Sequence, residues 1–204
     1  MWRREVSTAV DPVENPHAYQ NMLLNLVGDD DPAEVQAATS TALRHIVTAA
    51  GDHLRTRPAP GEWSVIELLG HVLDAEIISS ARYRWVIAEQ RPPLLPYDQD
   101  LWVDALGYDK ADPVELLETF DALRAANIAL WYRSTAEQRV RDGLHAERGP
   151  ESFDLMFRLI AGHGRFHIDQ MRSTLEELSL HPLVLDMSEF QKMDGGLSCL
   201  SLRF

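Results

Sequence analysis

Cysteine is all but missing from this chain: among 204 residues there is one, Cys199. A single thiol excludes an intrachain disulfide framework, a CxxC redox pair and a cysteine-rich zinc module, and it fits a reducing cytoplasm. Basic charge is also short. Nineteen Lys and Arg against 32 Asp and Glu give a net charge of −13, and no basic cluster stands out. Nucleic acid is therefore not an expected partner, because affinity for a polyanion comes mainly from Lys and Arg that neutralise phosphates. Long apolar runs are absent, and nothing approaches the ~20 residues of a spanning helix. The start, Met1-Trp2-Arg3-Arg4-Glu5 followed by Asp11, Pro12, Glu14 and Pro16, lacks the apolar stretch of a signal peptide. The expectation is a cytoplasmic protein with no membrane partner, whose chemistry falls to histidine, carboxylate, hydroxyl or a cofactor.

What remains is ordinary globular material, 45% hydrophobic and 25% charged, long enough for one core. Four segments carry helical periodicity. The first opens at Asp31-Pro32-Ala33-Glu34, an N-cap acid followed by proline at the first helical position, and stops before Pro58 and Pro60. The second opens with the capping box Ser64-Val65-Ile66-Glu67 and ends at Pro92-Pro93. Asp112-Pro113-Val114-Glu115 begins the third, and the fourth runs from near Ser152 to about Leu178. No strand pattern competes with these, so the fold class is all-α, a four-helix bundle. Residues 1–30 read as an irregular N-terminal extension, 31–178 as the bundle, and 179–204 as an apolar tail packing on the bundle or on a second subunit.

The fourth helix is the informative one. At 100° per residue, Asp154, Arg158, Arg165, Asp169, Arg172 and Glu176 share a solvent face. Met156, Ile160, Met171 and Leu178 lie opposite, with His163 and His167 in their midst and Gln170 continuing the stripe. Side chains four apart on a helix are close enough for two imidazoles to grip one ion. The same pair also reads as two core histidines satisfied by neighbouring groups. Gly164 stands where an HExxH zinc protease would carry its glutamate. His71 on the second helix is the best third ligand, with Glu67 or Asp74 one turn away to orient it; capping and a solvated edge are the plainer roles of those two acids. His145 precedes the fourth helix and is placed to reach the mouth of such a site. His53 reads as a core or boundary histidine, and His17, His45 and His181 as surface residues.

The segment Gly61-Glu62-Trp63-Ser64-Val65-Ile66-Glu67-Leu68-Leu69-Gly70-His71-Val72-Leu73-Asp74-Ala75-Glu76, the arginines Arg82 and Arg84, the linker Tyr97-Asp98-Gln99-Asp100-Leu101-Trp102, His145 with Gly149, and the motif Gly162-His163-Gly164-Arg165-Phe166-His167-Ile168-Asp169-Gln170 occur in this order. Together they resemble the DinB/YfiT-like family, over about residues 20–178. The resemblance implies an up-down-down-up bundle, often a homodimer, with a divalent metal held by three histidines, here His71, His163 and His167. It also implies a small-molecule substrate, since characterised relatives include thiol-dependent S-transferases and a mycothiol-dependent maleylpyruvate isomerase. Phe166 departs from the pattern, standing where many members have a further histidine.

Three imidazoles leave a divalent ion, zinc or nickel first among the candidates, with an open position. The leading expectation is a metal-dependent transferase or isomerase that applies a low-molecular-weight thiol to a small electrophile. Arg82 or Arg84 would attract a carboxylate of substrate or thiol. A metal-dependent hydrolase of a small amide or ester, using Glu67, Asp74 or Glu76 as base, is the alternative enzyme. A non-catalytic stress-response protein with a structural metal is the alternative class. A GxSxG elbow is absent, and Gly162-His163-Gly164 lies inside a helical pattern with no strand before it, so neither a serine hydrolase nor a dinucleotide site is expected.

Overall fold

The computed structural model describes residues 15–190, with side chains to Ser179. Cys199 and residues 191–204 of the apolar tail lie outside the described residues, as does the side chain of His181. Among the described residues seven α-helices follow one another: α1 (Pro16–Val27), α2 (Pro32–Ala50), α3 (Val65–Ala88), α4 (Gln99–Leu106), α5 (Pro113–Arg133), α6 (Ala136–Val140) and α7 (Phe153–Phe190). The four long ones, α2, α3, α5 and α7, form the expected bundle. Each of α2 and α3 packs against both α5 and α7, so the consecutive helices α2 and α3 face one another across the diagonal.

The helix starts follow from local chemistry. Asp31 accepts a hydrogen bond from the Ala33 amide at 2.7 Å and Asp112 from the Val114 amide at 2.8 Å, each just before a proline that has no amide hydrogen to satisfy. At α3 the Ser64 amide and hydroxyl both donate to Glu67 Oε2, at 2.8 and 2.7 Å, completing the capping box. The α2 segment turns aside at Gly51, whose φ of +48° favours glycine, into a 3₁₀ turn over Gly51–Arg55.

Three features differ from the sequence reading. A small sheet exists: β1 (Pro93–Leu94) pairs in parallel with β2 (Asp142–His145), which pairs antiparallel with β3 (Gly149–Ser152). It is too short to show alternation, and pairing across the two long connections creates it. The N-terminal segment read as irregular contains α1, which packs along α7. His53 is exposed rather than buried, because the helix has already turned into the 3₁₀ segment there.

Two large apolar clusters fill the bundle, and a small third one, Val27, Val35 and Ala161, joins α1, α2 and α7. One of the large two joins Leu43, Ile66, Leu69, Leu73, Phe120 and Met171; the other joins Tyr83, Val86, Leu94, Trp131, Phe153 and Phe157. Trp131 and Phe157 stack at 4.3 Å in the second. A polar layer separates them: His71, Glu76, Ser79 and Ser80 of α3, Arg124 and Asn127 of α5, and His163 and His167 of α7. Its central ion pair, Arg124 to Glu76 at 2.9 Å, is buried, and Asn127 Nδ2 donates to Glu76 at 2.7 Å and to Ser80 at 2.6 Å. Among the described residues no helix is long and apolar enough to cross a membrane.

Candidate metal centre

Helix α3 brings His71, and α7 brings His163 and His167 one turn apart, into that polar layer. His163 Nε2 lies 3.1 Å from His71 Nε2 and 3.1 Å from His167 Nε2. Donor atoms of all three side chains fall within 4.8 Å of one another. An imidazole nitrogen carries either one proton or one lone pair, so His163 Nε2 completes one hydrogen bond at a time and never both contacts. A cation between three lone pairs satisfies all of them. Nitrogens at 2.0–2.1 Å from a tetrahedral ion stand roughly 3.3–3.4 Å apart, close to the separations seen, so the residues present fit such an ion.

The protonation states agree. Burial pushes the His71 and His163 pKa values well below the ordinary imidazole range, with mutual repulsion among the three rings adding to it. Burial likewise takes His167 down to about 4, against the opposing effect of Gln170. All three are neutral near pH 7. His167 Nδ1–H donates to Gln170 Oε1 at 2.8 Å, which fixes the ring and turns the Nε2 lone pair toward the cluster.

The carboxylates expected to orient His71 do not do so. Glu67 is held by Ser64 and by Arg57, whose Nε donates to both carboxylate oxygens at 3.0 Å. Burial alone would raise its pKa, but these bonds hold it below the usual value. Asp74 accepts the Tyr108 hydroxyl at 2.6 Å, and burial raises its pKa. His71 Nδ1 is buried with no hydrogen-bond partner among the described residues. The helical wheel placed both acids near His71 but could not show that Arg57 and Tyr108, from other segments, engage them first.

A cavity of about 170 Å³ opens beside His71 and His163. His71, Ala75, Ser79 and Arg82 of α3 form one wall, and Tyr19, Gln20 and Leu23 of α1 another. Tyr97, His145 and Arg148 reach in from the connections, with the exposed Glu147 at the edge. Arg82 and His145 thus line the same space as the histidines, whereas Arg84 turns away to the Ser80 carbonyl and to Asn127 Oδ1. His145 sits on β2 rather than in a loop. Tyr19, Gln20 and Arg148 went unnoticed in the sequence. Pro16 at the start of α1, followed by Leu23 and Val27 at helical spacing, was the signal for the first two.

Comparison with known proteins accords with this architecture. Residues 34–171 match the family model described as the DinB superfamily. A Bacillus cereus protein (strain ATCC 14579) named "Putative metal-dependent hydrolase" is 28% identical over 120 residues, 58% of this chain and 68% of its own. A relative of the same name type from Oceanobacillus iheyensis is 22% identical over 156 residues, 76% of this chain and 90% of its own. Among solved structures, YfiT from Bacillus subtilis, described as "a probable metal-dependent hydrolase with an unusual four-helix bundle topology", superposes with a TM-score of 0.65. It is 20% identical, covering 88% of this chain and 94% of that one, and it shares the fold. With the family model spanning more than half of its length, the chain belongs to the DinB superfamily.

Proposed function

We propose that this protein is a metal-dependent enzyme in which His71, His163 and His167 hold a divalent ion, and that it applies a low-molecular-weight thiol to a small electrophile as an S-transferase or isomerase. A divalent ion in an open three-histidine site supplies Lewis acidity, lowering the pKa of a thiol or water and polarising a carbonyl. The protein's own part is to hold three neutral imidazoles at one point, to orient His167 through Gln170, and to leave the His71–His163 side facing a cavity.

One observation favours a thiol as the nucleophile. Hydrolysis benefits from a carboxylate base beside the attacking water, and none of the three acids considered for it, Glu67, Asp74 and Glu76, lines the cavity; Glu67 and Glu76 are paired with Arg57 and Arg124, and Asp74 accepts the Tyr108 hydroxyl through one oxygen. A thiol is far more acidic than water and needs no such base. In the transfer, the thiol proton passes to solvent, sulfur bonds to the electrophilic carbon, and the leaving group departs with its bonding pair. In the isomerisation, sulfur adds to a carbon–carbon double bond, the resulting single bond rotates, and sulfur leaves again. The names of the relatives support hydrolysis of a small amide or ester as the second reading.

The test sets the metal-loaded protein before a panel of thiols with a fluorogenic electrophile, and separately before activated esters and anilides. S-conjugation that disappears in His163→Ala supports the first reading. Ester or amide cleavage with the same dependence, and no conjugation with any thiol, replaces it with the second.

A further inference from the structure

Among the described residues no carboxylate pairs with the buried guanidinium of Arg82. It is 8% exposed, and the partner it reaches among the described residues is neutral, the Leu95 carbonyl, which accepts from Nη2. Its Nε is buried with no hydrogen-bond acceptor. The other arginine buried to this degree, Arg124, has Glu76 at 2.9 Å. Glu151, whose field reaches Arg82, is already gripped by Arg148 at 2.6 and 3.0 Å and by Gln20 at 2.6 Å. Burial pulls the Arg82 pKa down from its usual value, but an arginine stays charged in proteins. An unpaired buried charge costs several kcal/mol, which a ligand anion would offset.

His145 supplies a second idle donor on the same cavity. It is 1% exposed. The Glu147 amide donates to its Nδ1 at 3.3 Å, so in the neutral ring Nε2 carries the proton, and that N–H has no acceptor. A guanidinium Nε–H and an imidazole Nε2–H, both buried and both lacking acceptors among the described residues, belong to side chains that line one cavity with His71 and His163. Eleven residues of α3 separate His71 from Arg82, about 16 Å of helical rise. A ligand anchored at Arg82 and His145 would therefore face the histidines with its other end.

We propose that the cavity takes a small molecule bearing a carboxylate, bound at Arg82 and His145, with its reactive end directed to the three histidines. The volume of about 170 Å³ compares with the roughly 150 Å³ known to admit benzene, so the enclosed part is a short-chain acid or the acidic end of something larger. This assignment deepens the metal-dependent reading, naming the substrate class of that same site, and it rests on that reading only for the orientation.

Calorimetric titration of metal-free and metal-loaded protein with succinate and succinamide tests it. The wild type is expected to bind the diacid at least tenfold more tightly than the diamide in both forms. In Arg82→Met that preference vanishes while metal content stays as in wild type, and Arg82→Lys keeps part of it. Paired kinetics show which reactant carries the group: 3-mercaptopropionate against its amide for the thiol, and a carboxylated electrophile against its amide for the other. A tenfold loss on Arg82→Met with either supports the assignment. Equal affinity of wild type for acid and amide overturns it, and so does an acid preference that survives in folded Arg82→Met. If Arg82→Met does not fold, the wild-type comparison decides. Acid preference without metal binding would sink the proposed function and leave the subsite standing.

Discussion

At the scale of single residues, the site is built from histidines kept neutral by burial. His145 shows the consequence most simply, since no metal is assigned to it. Its pKa is taken down to about 4, first by burial and then by the Arg148 and Arg82 charges, against the pull of Glu151. In the unfolded chain it returns to about 6.5. Between those values the unfolded state binds the proton more readily, so His145 contributes stability that is complete above about pH 6.5 and falls away as the pH drops toward 4. His145→Gln keeps a hydrogen-bonding side chain that does not titrate. Urea midpoints measured in chelator at pH 7.5 and pH 4.5 should fall less for the variant than for the wild type; an equal fall in both would remove His145 as a contributor. The other buried histidines are common to both proteins and cancel in the comparison.

At the scale of elements, the glycines beside His163 explain how helices close around the site. A Cβ on Gly162 would sit 2.1 Å from the Leu23 carbonyl oxygen of α1, and one on Gly164 would sit 3.0 Å from Thr39 Oγ1 of α2. The Gly-His-Gly run is thus a packing device that lets α1 and α2 approach α7 at the level of the histidines. Gly162→Ala must push the α1 backbone away, with a destabilisation of about 1–3 kcal/mol by analogy with overpacked cores. Since α1 carries Tyr19, Gln20 and Leu23 into the cavity wall, the variant should lose protection of α1 amides in hydrogen exchange while retaining stoichiometric metal. Unchanged α1 protection would contradict this. The same elements show what was legible in advance. Capping residues and apolar spacing announced the four long helices, and helical geometry put His163 and His167 on the inner face, because both signals are local. The short strands, the burial of Arg82 and the partners of Glu67 and Asp74 depend on segments far apart in sequence. A wheel drawn on one helix shows which face a residue occupies, but not what covers that face.

At the scale of the whole molecule, the question is whether an ion between α3 and α7 holds the bundle together or only works within it. The apolar clusters on either side of the polar layer pack α3 against α5 and α7 without the histidines, and the Arg124–Glu76–Asn127 network closes the layer on the α5 side. The fold should therefore survive loss of the metal. An ion bound only by the native state, at a free concentration 100 times its Kd, adds about 2.7 kcal/mol of stability. At roughly 2–4 °C per kcal/mol for a protein of this size, chelation should lower the melting temperature by about 5–10 °C and leave the far-ultraviolet circular dichroism at 25 °C unchanged. His71→Ala, which removes one donor from α3, should melt near the chelated wild type and respond little to added zinc or nickel. Loss of helicity at 25 °C on chelation would instead assign the ion a structural role, tying α3 to α7, and would favour a non-catalytic protein over the enzyme proposed. The polar layer makes these outcomes separable: the histidines lie between the clusters that stabilise the bundle, so removing the ion tests the site while leaving the core intact.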